Sequence, residues 1–233
     1  MGIIGLLAVV SLPAIRGISK SNAMAAANRQ LLDDIALARQ YALSTRAPVY
    51  LLFSPPLDVL PPADQANLSS SLGTNQIELF LRGQQTAYAL FAFRSVGDQP
   101  GQQNNRYLTP WRSLPEGVFI PASKFTTTVN GVSPFFKSPT AIPFPSTGLG
   151  SARVTVYRIA FDAQGALASQ QDEIIPLARG SVLFARDPST GALAWSPADV
   201  LERPPNNSIV NSNHIRIDWL TGRARVERAE ITQ

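Results

Sequence analysis

The sequence predicts an α+β fold in which one long N-terminal helix packs on an antiparallel β-sheet body. Three observations carry that prediction. An apolar run over residues 1–15, broken only by Gly2, Gly5, Ser11 and Pro13, passes without a turn signal into a polar helical stretch that ends near Arg46. Beyond Pro48 the chain reads as short runs of β-branched and aromatic residues separated by turn residues. The 19 prolines and 15 glycines require many irregular connections, which short strands joined by turns provide. One long helix followed by strands is the pattern of an α+β unit.

The apolar run comes first. Ile3, Ile4, Leu6, Leu7, Val9, Val10, Leu12, Pro13 and Ile15 make it a candidate membrane-anchor and assembly helix. A spanning helix needs about 20 apolar residues to cross roughly 30 Å of hydrocarbon, and here 15 residues precede Arg16. The expectation is an anchor truncated by a start codon assigned within it, and reading the nucleotides upstream of Met1 checks this. Two alternatives stay open. A signal peptide would use Ala25 to Ala27 as a cleavage site but lacks a basic segment before Gly2, and a buried core helix would fit the length. The expected division is residues 1–18 as anchor, 19–47 as an amphipathic helix continuing it, and 48–233 as a β-rich domain.

Over residues 19–45, Ala25, Leu32, Ile35, Ala36, Ala42 and Leu43 recur at roughly helical spacing and predict one stripe against a sheet. Pro48 ends the helix because it disfavours the α conformation at Ala47. The first strand is expected at 49–53. A Pro-rich connection (54–62) and a polar stretch with one short helical turn follow. Further strands are expected at 76–82, 86–94, 117–121, 124–129, 153–161, 173–177, 181–186, 214–219 and 223–228. Turns are expected at 83–85, 162–165, 187–191 and 220–222, with mobile surface loops at 97–105 and 203–213.

Catalytic patterns are scarce. His214 is the single histidine and alternates with apolar residues in a strand, so it reads as a solvent-face residue; no second histidine can complete a nucleophile relay. The carboxylate pairs Asp33/Asp34 and Asp172/Glu173 diverge on a helix or strand. The 162–165 turn lacks the spacing of a calcium loop. Cysteine is absent, which removes disulfides and thiolate metal sites. The expectation is a protein without cofactor or metal and not an enzyme.

Net charge is +4, and the helical stretch holds +3 of it through Arg16, Lys20, Arg29, Arg39 and Arg46 against Asp33 and Asp34. Charge so placed is a weak nucleic-acid signal. A sharper feature is the C-terminal hairpin. Ile215, Ile217 and Trp219 alternate with His214, Arg216 and Asp218, while Ala224 and Val226 alternate with Arg223 and Arg225. Arg216, Arg223 and Arg225 are thus expected on the outer face, as a solvated surface or as a candidate DNA-phosphate patch offset by Asp218, Glu227 and Glu230.

Four segments carry a family resemblance. GLLAVVSLPAI at 5–15 is like the second half of a class III signal helix. LLDDIALARQYALSTRAPV at 31–49 is like a helix-to-strand junction, and FDAQG at 161–165 and TGRARV at 221–226 are like two later hairpins. Together they resemble the H-type minor pseudopilins of type II secretion and related minor type IV pilins, the GspH/FimT-like family. The match covers both ends of the chain and little of 54–145. The resemblance implies a pilin-like fold and a structural subunit anchored once in the bacterial inner membrane with its body in the periplasm. Implied partners are other pseudopilins of a filament, the secretion-system assembly platform and, if an upstream leader exists, the prepilin peptidase. The family's Phe-Thr-Leu-x-Glu processing site and basic leader do not appear in the sequence. A positive-inside count over Arg16 and Lys20 would place the body in the cytoplasm, opposite to what the resemblance implies. A FimT-like minor pilin binding DNA for uptake is the alternative, carried by Gly222 to Arg225.

Overall fold

The computed structural model describes residues 2–94, 104–148 and 151–228, with side chains from residue 22 to residue 227 within those limits. It is a mixed fold in which an N-terminal helix packs on antiparallel sheets.

Helix α1 (Gly2–Thr45) is unbroken over 44 residues. It stops where Arg46 takes a left-handed conformation (φ 48°) and Pro48 follows. Its buried line is Met24, Ala27, Leu31, Ile35, Ala38 and Ala42, a 3.6-residue period sustained over five turns. The expected stripe is therefore partly corrected. Ile35 and Ala42 are buried and Leu32 half-buried, whereas Ala25, Ala36 and Leu43 are exposed. Two neighbouring arcs of this helix are apolar, and the alanines at 27, 38 and 42 allow the closer approach to a sheet.

Strand β1 (Val49–Phe53) is the centre of the first sheet, as its β-branched and aromatic sequence predicts. It lies antiparallel between β2 (Ala87–Ala92) and a strand formed by Tyr157–Phe161, with Leu51 opposite both Leu90 and Ile159. The short strands β3 (Arg106–Tyr107) and β4 (Arg112–Ser113) pair with β2. Val49, Leu51, Phe53, Tyr88 and Leu90 face α1, while Leu52 and Phe91 join a second core on the opposite side. Burial on both faces explains why β1 and β2 read as nearly continuous apolar runs.

That second core contains two helices, α2 (Pro62–Ser71) and α3 (Thr74–Gly83). α2 replaces the single turn expected there, and α3 corrects the strand expected at 76–82. The reasons are local. Ile77, Phe80 and Leu81 have helical spacing, the Gln76 side chain accepts the Gly73 N–H at 3.1 Å, and Glu78 pairs with Arg82 at 2.7 Å. Residues 83–85 are accordingly the exit of a helix and not a hairpin turn.

The second sheet forms around one long strand. After β5 (Val118–Phe119), the helical turn α4 (Ser123–Thr126) stands where a strand was expected at 124–129. Tertiary contacts override the threonine-rich sequence here, because the turn carries Lys124 and Phe125 into the interior. β6 (Phe136–Lys137) extends the first sheet. β7 (Ile142–Phe144) pairs with β8 (Ala152–Val154), and β9 (Tyr157–Phe161) returns to β1. The expected strand at 153–161 is thus two strands, separated where the Thr155 N–H donates to Asp64 Oδ2 at 2.8 Å.

The two strands expected at 173–177 and 181–186 are one, β10 (Glu173–Leu183). It pairs in succession with β12 (Asn213–Ile217), β5 and β11 (Asp199–Glu202). β13 (Ala224–Arg228) completes the order β11-β10-β12-β13. Ile175, Leu177, Ile215 and Ile217 join the core that α1 shares with the first sheet. The loop expected at 203–213 holds a helical turn, α5 (Asn207–Val210), pinned by the Arg179 N–H donating to the buried Asn207 Oδ1 at 2.6 Å. The loop expected at 97–105 falls mostly outside the described residues.

Candidate functional site

Two glycine turns meet at the C-terminal end of α1. In the first, Asp162 Oδ1 accepts the N–H groups of Gln164 at 2.8 Å and Ala166 at 3.0 Å. In the second, Asp218 Oδ1 accepts the Thr221 N–H at 2.8 Å and hydroxyl at 2.7 Å. Each aspartate closes its own turn, the local chemistry that favours Asp-to-Gly runs. The turns then join, with the Leu167 N–H donating to Trp219 O at 2.7 Å and Arg39 Nε donating to Thr221 O at 2.6 Å.

Gly165 (φ +75°) and Gly222 (φ +63°) are the contact itself. A Cβ at Gly222 would lie 1.9 Å from the Gly165 carbonyl oxygen, and one at Gly165 would lie 3.1 Å from Arg39 Cγ. Gly222→Ala is therefore expected to destabilise the body by about 2–3 kcal/mol, combining a left-handed backbone with a backbone clash. A thermal melt measures this, and an unchanged midpoint would mean the turns do not touch in solution.

Beside this junction, the guanidiniums expected to face solvent are largely paired. Arg216 donates to Asp172 Oδ2 at 2.8 and 3.0 Å and lies 3.6 Å from Glu227, which also pairs with Arg225 at 2.6 Å. The Trp219 N–H and then Arg216 hold the Asp172 carboxyl below the usual carboxylate range, and Arg225 does the same for Glu227. Arg223 is exposed and forms no ion pair among the described residues. Trp219 does not share the buried face of Ile215 and Ile217. The strand ends at Ile217, and Trp219 stands 38% exposed beside Leu220.

His214 is half-buried rather than on a solvent face. Its Nε2 lies 3.0 Å from Ser212 Oγ, and burial lowers its pKa while Glu227 opposes the shift. The carboxylate pairs diverge. Asp33 is exposed while Asp34 is buried, accepting from the Tyr88 hydroxyl and from Arg112, both at 2.6 Å. Likewise Glu173 is buried against Lys124, which also donates to Ser133 O at 2.6 Å and lies 4.5 Å from the Phe135 ring centroid. Sequence reasoning missed both clusters. The signal for the second was a lone lysine beside Phe125 in an uncharged stretch.

The anchor residues Ile3, Ile4, Leu6, Leu7, Val9, Val10, Leu12, Pro13 and Ile15 belong to α1, and their side chains lie outside the described residues. Among the described residues no helix is long and apolar enough to cross a membrane. Comparison with protein-family models, curated proteins and solved structures gives no match to this chain.

Proposed function

We propose that this chain is a non-enzymatic, pilin-like subunit: a minor pseudopilin held once in the bacterial inner membrane, with its β-rich body in the periplasm. The first part of α1 is the anchor and the assembly surface. Small and leucine-type side chains in that segment pack closely against equivalent helices in lipid, so filament partners join there and the body faces outward. No chemistry at a substrate is required.

The observation that carries this reading is the path of α1. One continuous helix, Gly2–Thr45, has an apolar sequence over its first 15 residues, and its later part, from Ala23 to Ala42, packs into the body. Further support comes from the three resembling segments of the body, at 31–49, 161–165 and 221–226, which meet at Arg39, Gly165 and Gly222.

The test is co-flotation of the full chain with phospholipid vesicles. The full chain is expected in the vesicle fraction and a form lacking residues 2–15 in the soluble fraction. Recovery of the full chain in the soluble fraction would sink the reading.

The DNA-uptake alternative has less behind it, because Asp172 and Glu227 occupy Arg216 and Arg225. Duplex DNA affinity is expected to be no tighter than tens of micromolar at physiological salt, within the non-specific range of about 10⁻⁴–10⁻⁶ M. Sub-micromolar binding in a gel shift, lost in Arg223→Ala/Arg225→Ala, would reverse that preference.

A further inference from the structure

At the other end of the packed part of α1, beside Ala23, a cleft of about 560 Å³ opens between the helix and the second sheet. Arg179 and Arg203 line it, their backbones joined by the Arg203 N–H donating to Arg179 O at 3.0 Å. Both side chains are exposed, and neither forms an ion pair among the described residues. Among the described residues only Arg82, Arg112, Arg216 and Arg225 meet a carboxylate, so what distinguishes Arg179 and Arg203 from the other unpaired arginines is that they line one cleft together. One carboxylate, Glu116, lines the cleft against the two guanidiniums. The floor at Gly180 carries no side chain because a Cβ there would lie 2.6 Å from Leu201 O.

We propose that this cleft binds the phosphate of an anionic lipid headgroup. The inference rests on the anchored reading of α1. Ala23 lies eight residues beyond Ile15, the end of the apolar run, which is about 12 Å along a helix. The headgroup region adds about 5–8 Å outside the hydrocarbon on each side, so Ala23 stands about 4–7 Å beyond that layer, a gap that an extended arginine side chain can span. Arg16 and Lys20 precede Ala23 on the same helix and add two formal positive charges near that level. A guanidinium fork matches phosphate oxygens bidentately, and a basic residue near an anionic surface is attracted at short range even in salt.

Because the chain has no cysteine, Ser181→Cys in the cleft wall gives a unique site for a fluorescent label. The labelled full chain is incorporated into phosphatidylcholine vesicles with graded phosphatidylglycerol and a headgroup-attached quencher. Quenching is expected to rise with phosphatidylglycerol. The fraction needed for half-maximal quenching should increase about fivefold for each of Arg179→Ala and Arg203→Ala, the factor that about 1 kcal/mol per basic residue gives. A circular dichroism melt checks that the variants remain folded.

Vesicle-bound protein whose label is quenched equally with and without phosphatidylglycerol would overturn the headgroup site and leave the anchor standing. A chain that floats with neither vesicle would overturn both. Quenching that rises with phosphatidylglycerol equally in the unsubstituted chain and in both folded arginine variants would overturn the assignment to this cleft.

Discussion

Ile35→Asp is expected to remove cooperative folding of the body. Ile35 is fully buried in the core that α1 shares with both sheets. The substitution forfeits about 1.5–3 kcal/mol of apolar burial. It also buries a carboxyl in an apolar core, at several kcal/mol more. The sum is comparable to the whole stability of an ordinary domain, about 5–15 kcal/mol. Leu32→Asp, three residues earlier, should cost only about 1–2 kcal/mol, since Leu32 is half-buried and its replacement can reach water. Urea unfolding followed by circular dichroism separates the two. Equal effects would mean that the helix does not present this face to the sheets.

The second large effect concerns the ion pair of Lys124 and Glu173. Both side chains are buried among Phe125, Phe135 and Tyr157 or close to them. Burial lowers the lysine pKa and raises that of the glutamate, and each partner opposes the shift of the other. Two charges so placed depend on one another. Lys124→Met is expected to cost about 3–5 kcal/mol because it strands the Glu173 carboxylate. The double variant Lys124→Met/Glu173→Leu should recover most of that loss, since an apolar pair of similar volume carries no desolvation penalty. A double-mutant cycle by urea denaturation measures the coupling. A double variant no more stable than Lys124→Met would show that packing around the lysine stem, rather than the stranded charge, sets the cost.

Local sequence determined the elements whose signals are dense and consistent. The helix that ends before Pro48, the strand at 49–53 and the C-terminal hairpin were legible because each combines one hydrophobic period with an unambiguous stop: Pro48 for the helix, the aspartate-to-glycine turn for the hairpin. Where the hydrophobic period is short, local sequence fits helix and strand alike. ELFLR at 78–82 suits a strand until Ile77, Phe80 and Leu81 are counted together, and TTT at 126–128 suits one until Lys124 and Phe125 are drawn inward. The continuity of β10 through 178–180 was hidden because Gly180 signals a break, and it persists because β12, β5 and β11 hold the strand in turn.

The site divides in the same way. The sequence alone marked the turns at 162–165 and 220–222, because each closes on a nearby aspartate, Asp162 or Asp218. Only the tertiary structure decided that they touch, that Arg216 and Arg225 are neutralised, and that Lys124 meets Glu173 and Asp34 meets Tyr88 across separations of 49 and 54 residues. Hydrogen bonds within a turn are specified by neighbours in the chain. Which of two apolar helix faces is buried, and which carboxylate a distant cation reaches, depends on the total burial of the packed sheets, a quantity that no local window contains.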